Sequence, residues 1–304
     1  LALLEHLKMV LQRDDLHFGI SLGTPGPDRK PVIQAVAADG TVLGYAKVGW
    51  NPVTNRLVER EARALRWLEG MACVSFRSPS VLYAGRWNGR AICISKPLPA
   101  EGRRVAASLT TTHIQVQREL ARLSLRWRPF CDSRFWQALR ERIGGMGQPY
   151  YRDVAERAAE VLESRLHGEA LAFHTSHGDF APWNMRLARG QMLLLDWEHS
   201  EPEAPVAHDL IHFLVQTRML LRKEPPGALF NMLQRREGEA ASIVKHVVDV
   251  GMGAESLESL VLIYALERLT SYDSESHTSI GASRYFGGLI NLLLPSCAGS
   301  APQL

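Results

Sequence analysis

Apolar and polar positions change their rhythm near residue 100. Before it, short runs rich in β-branched and aromatic residues end at Gly, Pro or Asp: "LHFGISLG" (16–23), "PVIQAVA" (31–37) and "VLGYAKVGW" (42–50). Such runs predict strands, and "ADG" at 38–40 predicts a hairpin turn between the second and third. "SVLYAGRW" and "RAICISK" predict two more strands joined by Asn88-Gly89, the dipeptide that two-residue hairpin loops favour. Between these sets, "TNRLVEREARALRWLE" (54–69) carries a helical period and stops at Gly70. "KPLPAEG" then reads as a connector, since its two prolines cannot continue a strand.

Beyond that connector the period is helical. In "YRDVAERAAEVLESRLHG", Val154, Ala158, Val161 and Leu162 fall on one face, and Gly168 ends the helix. "VAHDLIHFLVQTRMLLR" aligns Leu210, Phe213, Leu214 and Thr217, while "LESLVLIYALERL" and "RYFGGLINLLL" read as core helices. The pattern predicts a small β-rich lobe over 1–99 and a larger, mainly helical lobe over 100–304.

One stretch interrupts the helical text: "SHGDFAPWNMRLARGQMLLLDWEH", 176–199. Apolar runs at Met185–Leu187 and Met192–Leu195 flank "ARGQ", a turn centred on Gly190. Asn184 and Asp196 each lie six residues from Gly190. A hairpin would set them opposite one another, with side chains within roughly 5 Å. An amide oxygen and a carboxylate so placed are hard ligands, suited to Mg²⁺ rather than zinc, and such an ion takes further oxygens from substrate phosphates. Asp179, five residues before Asn184 on the entering loop, could accept a proton from a hydroxyl nucleophile and orient it toward phosphorus. Each of these residues alone is an ordinary turn former; the ordered set around apolar strands favours chemistry.

Composition changes this picture little. The 304 residues are 46% hydrophobic and 22% charged, which excludes a mainly disordered or fibrous chain. A formal charge of +3 without a basic run gives no expectation of nucleic acid as a partner. Apolar stretches such as "LINLLL" are too short for a bilayer, so no membrane partner is expected. Cys73, Cys93, Cys131 and Cys297 form no CxxC pair and no signal peptide is read, so a reduced, cytoplasmic protein is expected.

"HGDFAPWN" followed by "LLLDWE" resembles the catalytic loop and metal-binding acid of the aminoglycoside phosphotransferase and choline kinase family, relatives of the protein kinases. Protein kinases carry H-R-D-x-x-x-x-N and then D-F-G; here the order is His177-Gly178-Asp179, Asn184 and Asp196-Trp197-Glu198. The resemblance implies an α+β, bilobal protein-kinase-like fold with its site in the cleft between the lobes. It also implies transfer of the γ-phosphoryl group of ATP (or GTP) to a hydroxyl of a small molecule. Asp179 would be the base and Asn184 and Asp196 the Mg²⁺ ligands.

That reading requires a lysine on the third strand and a glutamate on the following helix. Lys47 sits in "LGYAKVGW". Glu59 and Glu61 are the helix candidates. Leu57, Glu61 and Leu65 advance by only about 40° per step, so Glu61 lies on the apolar face and Glu59 among the charges. An inward carboxylate needs a cation, and Lys47 is the natural partner for positioning nucleotide phosphates. Glycines 19, 23 and 26 in "FGISLGTPGPDRKP" suit either a surface turn or a phosphate cradle; Gly23 and Ser21 are the expected cofactor contacts, while Pro25 and Pro27 remove amide donors. By the same resemblance, Asp209 would brace the catalytic loop, and "ISKPL" (94–98) would offer backbone groups to adenine.

Two rivals stand. His174, His177, Asp179 and His199 could ligate the metal of a hydrolase, although H-x-x-H lacks the helical i, i+4 spacing of zinc peptidases. A catalytically inactive kinase-fold protein, nucleotide-binding or regulatory, is the other. The acceptor could be aminoglycoside-like, a sugar or an amino alcohol. A polycationic one would call for carboxylates, with Glu198, Glu201, Glu203, Glu267, Asp273 and Glu275 as candidates. Oligomeric state is not legible.

Overall fold

The computed structural model describes residues 2–23, 26, 28–99, 101–273 and 280–298. They form two compact units. The first comprises Leu1–Val105, His177–Asp179 and Trp183–Ser200; the second comprises Ala106–Ser176, Phe180–Pro182 and Glu201–Leu304. The sequence places the boundary after residue 99 and the catalytic segment in the second part. The chain instead divides after Val105, and strand pairing draws most of 177–200 into the first unit.

The first unit opens with α1 (Leu3–Leu11), β1 (His17–Ser21), β2 (Val32–Val36) and β3 (Val42–Val48). Next come α2 (Pro52–Glu69), β4 (Phe76–Arg77), β5 (Val81–Trp87), β6 (Arg90–Ser95) and β7 (Arg103–Arg104). Five strands make one antiparallel sheet in the order β1-β2-β3-β6-β5. Its two faces are buried differently. Ala46 and Val48 join Leu7 of α1, Ile33, Ile92 and Ile94 in one apolar cluster, whereas Val58 and Ala62 of α2 pack on Ala91 and Cys93. Strand alternation therefore turns Lys47, between Ala46 and Val48, toward the α2 face. The start of α2 is fixed by a capping box: Asn51 Oδ1 accepts from the Thr54 amide at 2.8 Å, and Thr54 Oγ1 accepts from the Asn51 amide at 3.1 Å.

The second unit continues with α3 (Thr111–Ser124), β8 (Arg126–Pro129), α4 (Arg134–Gly144), α5 (Pro149–Arg165) and β9 (Ala170–Ser176). The chain then passes into the first unit for β10 (Met185–Ala188) and β11 (Gln191–Leu194), which join β4 and β7 in a sheet ordered β4-β11-β10-β7. It returns with β12 (Glu201–Pro205), α6 (His208–Gln216) and a π-helical turn over Thr217–Leu221. Last are α7 (Pro226–Arg235), α8 (Glu239–Asp249), α9 (Ser256–Asp273) and α10 (Ile280–Ala298). Strands β12, β9 and β8 form a small sheet, and α9 packs on α5, α6, α8 and α10. Leu257, Leu260, Ile263, Tyr264 and Leu269 are all buried, so α9 is apolar nearly all round, as a central helix must be.

One buried charge pair ties α6 to α9. His208 Nε2 lies 2.7 Å from Glu267 Oε2, with side chains only 7% and 15% exposed. Burial alone would lower the His208 pKa, but the Glu267 carboxylate outweighs it and the net shift is upward. Burial likewise opposes the Glu267 charge, and His208 holds that carboxyl well below its usual range. The raised histidine contributes stability below pH about 6.5 that is lost as pH rises through its folded pKa. The depressed glutamate contributes stability above pH about 4.3 that is lost only at strongly acid pH. Accordingly, the melting-temperature deficit of His208→Gln relative to wild type should be largest near pH 5–6 and shrink toward pH 9. A deficit that does not vary with pH would exclude an ionic role for this pair.

Candidate active site

Strands β10 and β11 pair in register Met185↔Leu194, Arg186↔Leu193, Leu187↔Met192 and Ala188↔Gln191. The loop is thus Arg189-Gly190, with φ of 49° and 81°. Two positive φ values in succession make the tight hairpin loop that matches strand twist. Its centre falls between these residues rather than on Gly190, and the sequence-based register is corrected by one. Asn184 faces Leu195, whose amide donates to the Asn184 carbonyl at 2.9 Å, and Asp196 lies one residue beyond. A one-residue slip would ordinarily turn a side chain to the other face. Asp196, however, has left the strand with a left-handed φ of 65°, and it lines the same cavity as Asn184.

The segment before the hairpin is held by histidine and glycine. His177 is fully buried; its Nδ1 accepts from the Asp179 amide at 3.3 Å, and its Nε2 lies 2.8 Å from the Leu195 carbonyl. Those two partners require a neutral ring with the proton on Nε2. The ring also lies tilted against buried Trp197, with centroids 4.6 Å apart, and Trp197 stacks in turn on Phe76. Gly178 has φ +82°, and a Cβ there would collide with the His199 backbone carbonyl. Gly178→Ala therefore adds backbone strain to a clash that no side chain can relieve. We expect a loss of about 3 kcal/mol or more and a melting temperature lower by roughly 6–12 °C, checked by thermal unfolding.

Asp179 emerges from this turn half-buried. Its Oδ2 accepts from Asn184 Nδ2 at 2.7 Å and from Trp183 Nε1 at 3.2 Å. Asn184 Nδ2 also donates to the Asp179 carbonyl at 3.0 Å. With Nδ2 committed to Asp179, Asn184 Oδ1 is the amide atom left to offer a ligand.

Opposite charges converge behind the hairpin. Lys47 Nζ donates to Glu61 Oε1 at 2.9 Å, to Asp196 Oδ1 at 2.6 Å and to Glu198 Oε2 at 3.3 Å. Glu61 lies on the buried face of α2, whereas Glu59 pairs with Arg86 at the surface. A second lysine, Lys30, reaches Glu198 at 2.5 Å, and both are buried. Burial disfavours the Lys47 ammonium, but Glu61, Asp196 and Glu198 together raise its pKa well above the ordinary value. Burial also opposes the Asp196 charge, yet Lys47 holds that carboxyl at about 2. Burial pushes the Glu61 carboxyl up against the pull of Lys47, and the crowding by Asp196 and Glu198 keeps the net shift upward.

Sequence reasoning missed Lys30 and the inward position of Glu198. Their separation of 168 residues leaves no local signal beyond Glu198 standing two places after Asp196. Among the described residues, Glu61, Asp196 and Glu198 are the cluster of acids whose ligand atoms lie within 4.8 Å of one another. Three hard oxygen donors, one of them reluctant to ionise, fit a divalent ion such as Mg²⁺. The histidines of the hydrolase reading form no such cluster: His174 is buried against the Thr175 carbonyl and His177 is bound as described.

A cavity of about 500 Å³ opens on this cluster, within the range of a small-molecule site. Lys47, Glu61, Asn184 and Asp196 line it, with Ser95 at the end of β6 and Lys96 and Leu98 of the connector. Ser21 and Gly23 are not among its lining residues. Ser21 ends β1 at the surface, Gly23 follows with φ 62°, and Thr24, Pro25 and Pro27 lie outside the described residues. Asp209 is buried in the second unit and accepts from Gln117 Nε2 at 3.1 Å. Of the carboxylates suggested for a cationic acceptor, Glu198, Glu203 and Glu267 already face Lys30, Arg128 and His208. The Asp273 side chain and Glu275 lie outside the described residues.

A five-stranded antiparallel sheet with a helix on each face, a lysine–glutamate pair, an H-G-D segment and a following hairpin that ends in aspartate define a protein-kinase-like phosphotransferase. The family model described as "Phosphotransferase enzyme family" matches residues 50–245, and the chain belongs to that family. No curated protein matches it. Solved structures share the fold at low identity. A thermostable mutant of aminoglycoside phosphotransferase APH(4)-Ia in its apo form is 14% identical with a TM-score of 0.61, covering 97% of this chain and 99% of that one. Choline kinase LicA from Streptococcus pneumoniae is 13% identical with a TM-score of 0.56, covering 96% and 97%. ADP-bound aminoglycoside phosphotransferase APH(2'')-Ib is 12% identical with a TM-score of 0.54, covering 97% and 98%.

Proposed function

We propose that the chain is a kinase that moves the γ-phosphoryl group of ATP, or of GTP, to a hydroxyl of a small molecule. The observation that carries this reading is Lys47, on the wall of the 500 Å³ cavity, bonded at once to Glu61 and Asp196. In this reading Lys47 grips the nucleotide phosphates and Glu61 holds the lysine in place. Asn184 Oδ1 and Asp196 would hold Mg²⁺, with Glu198 near enough to take part. The ion would neutralise charge that develops between the phosphates. Asp179 accepts the proton of the acceptor hydroxyl and points its oxygen at phosphorus. Its bonds from Asn184 and Trp183 aim the carboxylate without protonating it. Residues 1–99 would serve the nucleotide and the helical remainder the acceptor.

For the acceptor we favour a sugar-like, aminoglycoside-like or amino-alcohol compound. A related fold was solved with AMP-PNP and hygromycin B, and another belongs to a choline kinase. Engagement of Glu198, Glu203 and Glu267 with cations argues against those three acids as the recognition surface of a polycation. No described helix is long and apolar enough to cross a membrane. Cys73, Cys93 and Cys131 are free, in keeping with a reducing, cytoplasmic setting. The test is transfer of label from γ-³²P-ATP, with Mg²⁺, to a panel of aminoglycosides, amino alcohols and sugars. We expect a labelled acceptor, and chelator should abolish its formation. Absence of tight nucleotide binding to the purified chain would overturn the reading.

A further inference from the structure

A cleft in the second unit lies away from every residue given a role above. It encloses about 690 Å³ at the Ala170 end of β9, about 20 Å along that strand from Ser176. Its walls are the end of α5, the end of α7, the 251–255 loop and the first turn of α9. Three features there are unexplained by folding alone. Trp127 of β8 is 46% exposed at the cleft, a large aromatic surface left uncovered. Arg165 donates from Nη2 to the Glu255 carbonyl at 3.3 Å, yet its enclosed Nη1 has no hydrogen-bond partner. Ser259, only 2% exposed, likewise has an enclosed hydroxyl without a partner. Enclosed donors in native proteins are nearly always satisfied, and a turn of either side chain toward the cleft would bring it to a ligand oxygen that the chain does not supply.

The remaining lining sets the chemistry of that oxygen-bearing ligand. Two arginines, Arg165 and Arg236, stand against three glutamates, Glu169, Glu255 and Glu258. Arg236 already lies 3.6 Å from Glu258. A net negative rim disfavours a phosphorylated or carboxylated ligand. The apolar wall is small, which disfavours a lipid. A pyranose satisfies every term: one face carries C–H groups that pack on an indole, and its edge carries hydroxyls that both accept and donate. The volume is sufficient for two such rings.

We propose that this cleft binds a neutral sugar of one or two rings, seated on Trp127 with its hydroxyls on Arg165 and Ser259. This inference is independent of the phosphoryl-transfer reading, and the site would hold a regulatory or tethering glycan whatever the acceptor proves to be. The experiment titrates the full chain with glucose, maltose and trehalose, and with glucose 6-phosphate as the charged comparison, by saturation-transfer NMR and calorimetry. We expect saturable binding of at least one of these probes to wild type. Trp127→Ala, at a position 46% exposed on β8, should weaken it by about tenfold or more. Arg165→Gln should weaken it similarly, and Asp179→Asn should leave it unchanged. Three results would each overturn the proposal: no saturable binding of any probe, binding equal in wild type and Trp127→Ala, or tighter binding of glucose 6-phosphate than of glucose.

Discussion

Asp179→Asn is expected to lower turnover by roughly 10²–10⁴-fold, the range for loss of a positioned proton acceptor, with the KM for ATP nearly unchanged. The substitution is mild. An asparagine oxygen can still accept from Trp183 Nε1 and Asn184 Nδ2, so the loop keeps its bonds while losing its basicity. Steady-state kinetics with a labelled acceptor, together with nucleotide titration, checks both halves. Turnover within threefold of wild type would remove Asp179 from the chemistry. A raised KM with normal turnover would make it a binding group instead.

Lys47→Met is expected to damage both catalysis and stability. Losing a fixed cation beside the phosphates should cost roughly 10²–10³-fold in turnover. In the folded protein the change leaves Glu61, Asp196 and Glu198, crowded within 4.8 Å, with Lys30 as the neighbouring cation. Removing one partner of such a buried arrangement costs about 3–5 kcal/mol. The pH dependence follows from the same charges. Without Lys47, Asp196 rises from about 2 and Glu61 rises further. Groups whose folded pKa is raised stabilise below that value and cease to do so as pH climbs through it. Thermal unfolding should therefore show a deficit that opens between about pH 2 and 5, where Asp196 loses the stabilisation Lys47 gave its carboxylate, and widens further toward pH 8. Millimolar Mg²⁺ should narrow the deficit at pH 8 by replacing the missing cation. A constant deficit, unmoved by pH or Mg²⁺, would show that the three acids do not share their charge.

Much of this architecture is legible in the chain because local rules agree there. Asn88-Gly89 and the Gly40 turn mark element ends, and the 3.6-residue period separates Glu61 from Glu59 before any coordinates are seen. The rest is set by contacts with no local trace. Strands β4 and β7 are two residues each, too short for a period, yet their pairing with β10 and β11 assigns the hairpin to the first unit. The hairpin register turns on whether Arg189 can hold a positive φ, which its identity does not advertise. Lys30 reads as a surface residue after a Gly- and Pro-rich loop, and only the fold carries it to Glu198. The Gly-rich loop itself, with Ser21 and Gly23, is the part of the reading that the cavity does not absorb.

The hairpin tip offers a place to change the enzyme without touching it. Arg189 and Gly190 stand in the open, with Glu101 the one ionic neighbour of Arg189 given by the described residues. Because pleating repeats every second residue, Asn184 and Asp196 keep their aim when the two arms grow together and lose it when one arm grows alone. Reporter peptides or affinity handles grafted between Arg189 and Gly190 would leave the working ends of both strands where they are.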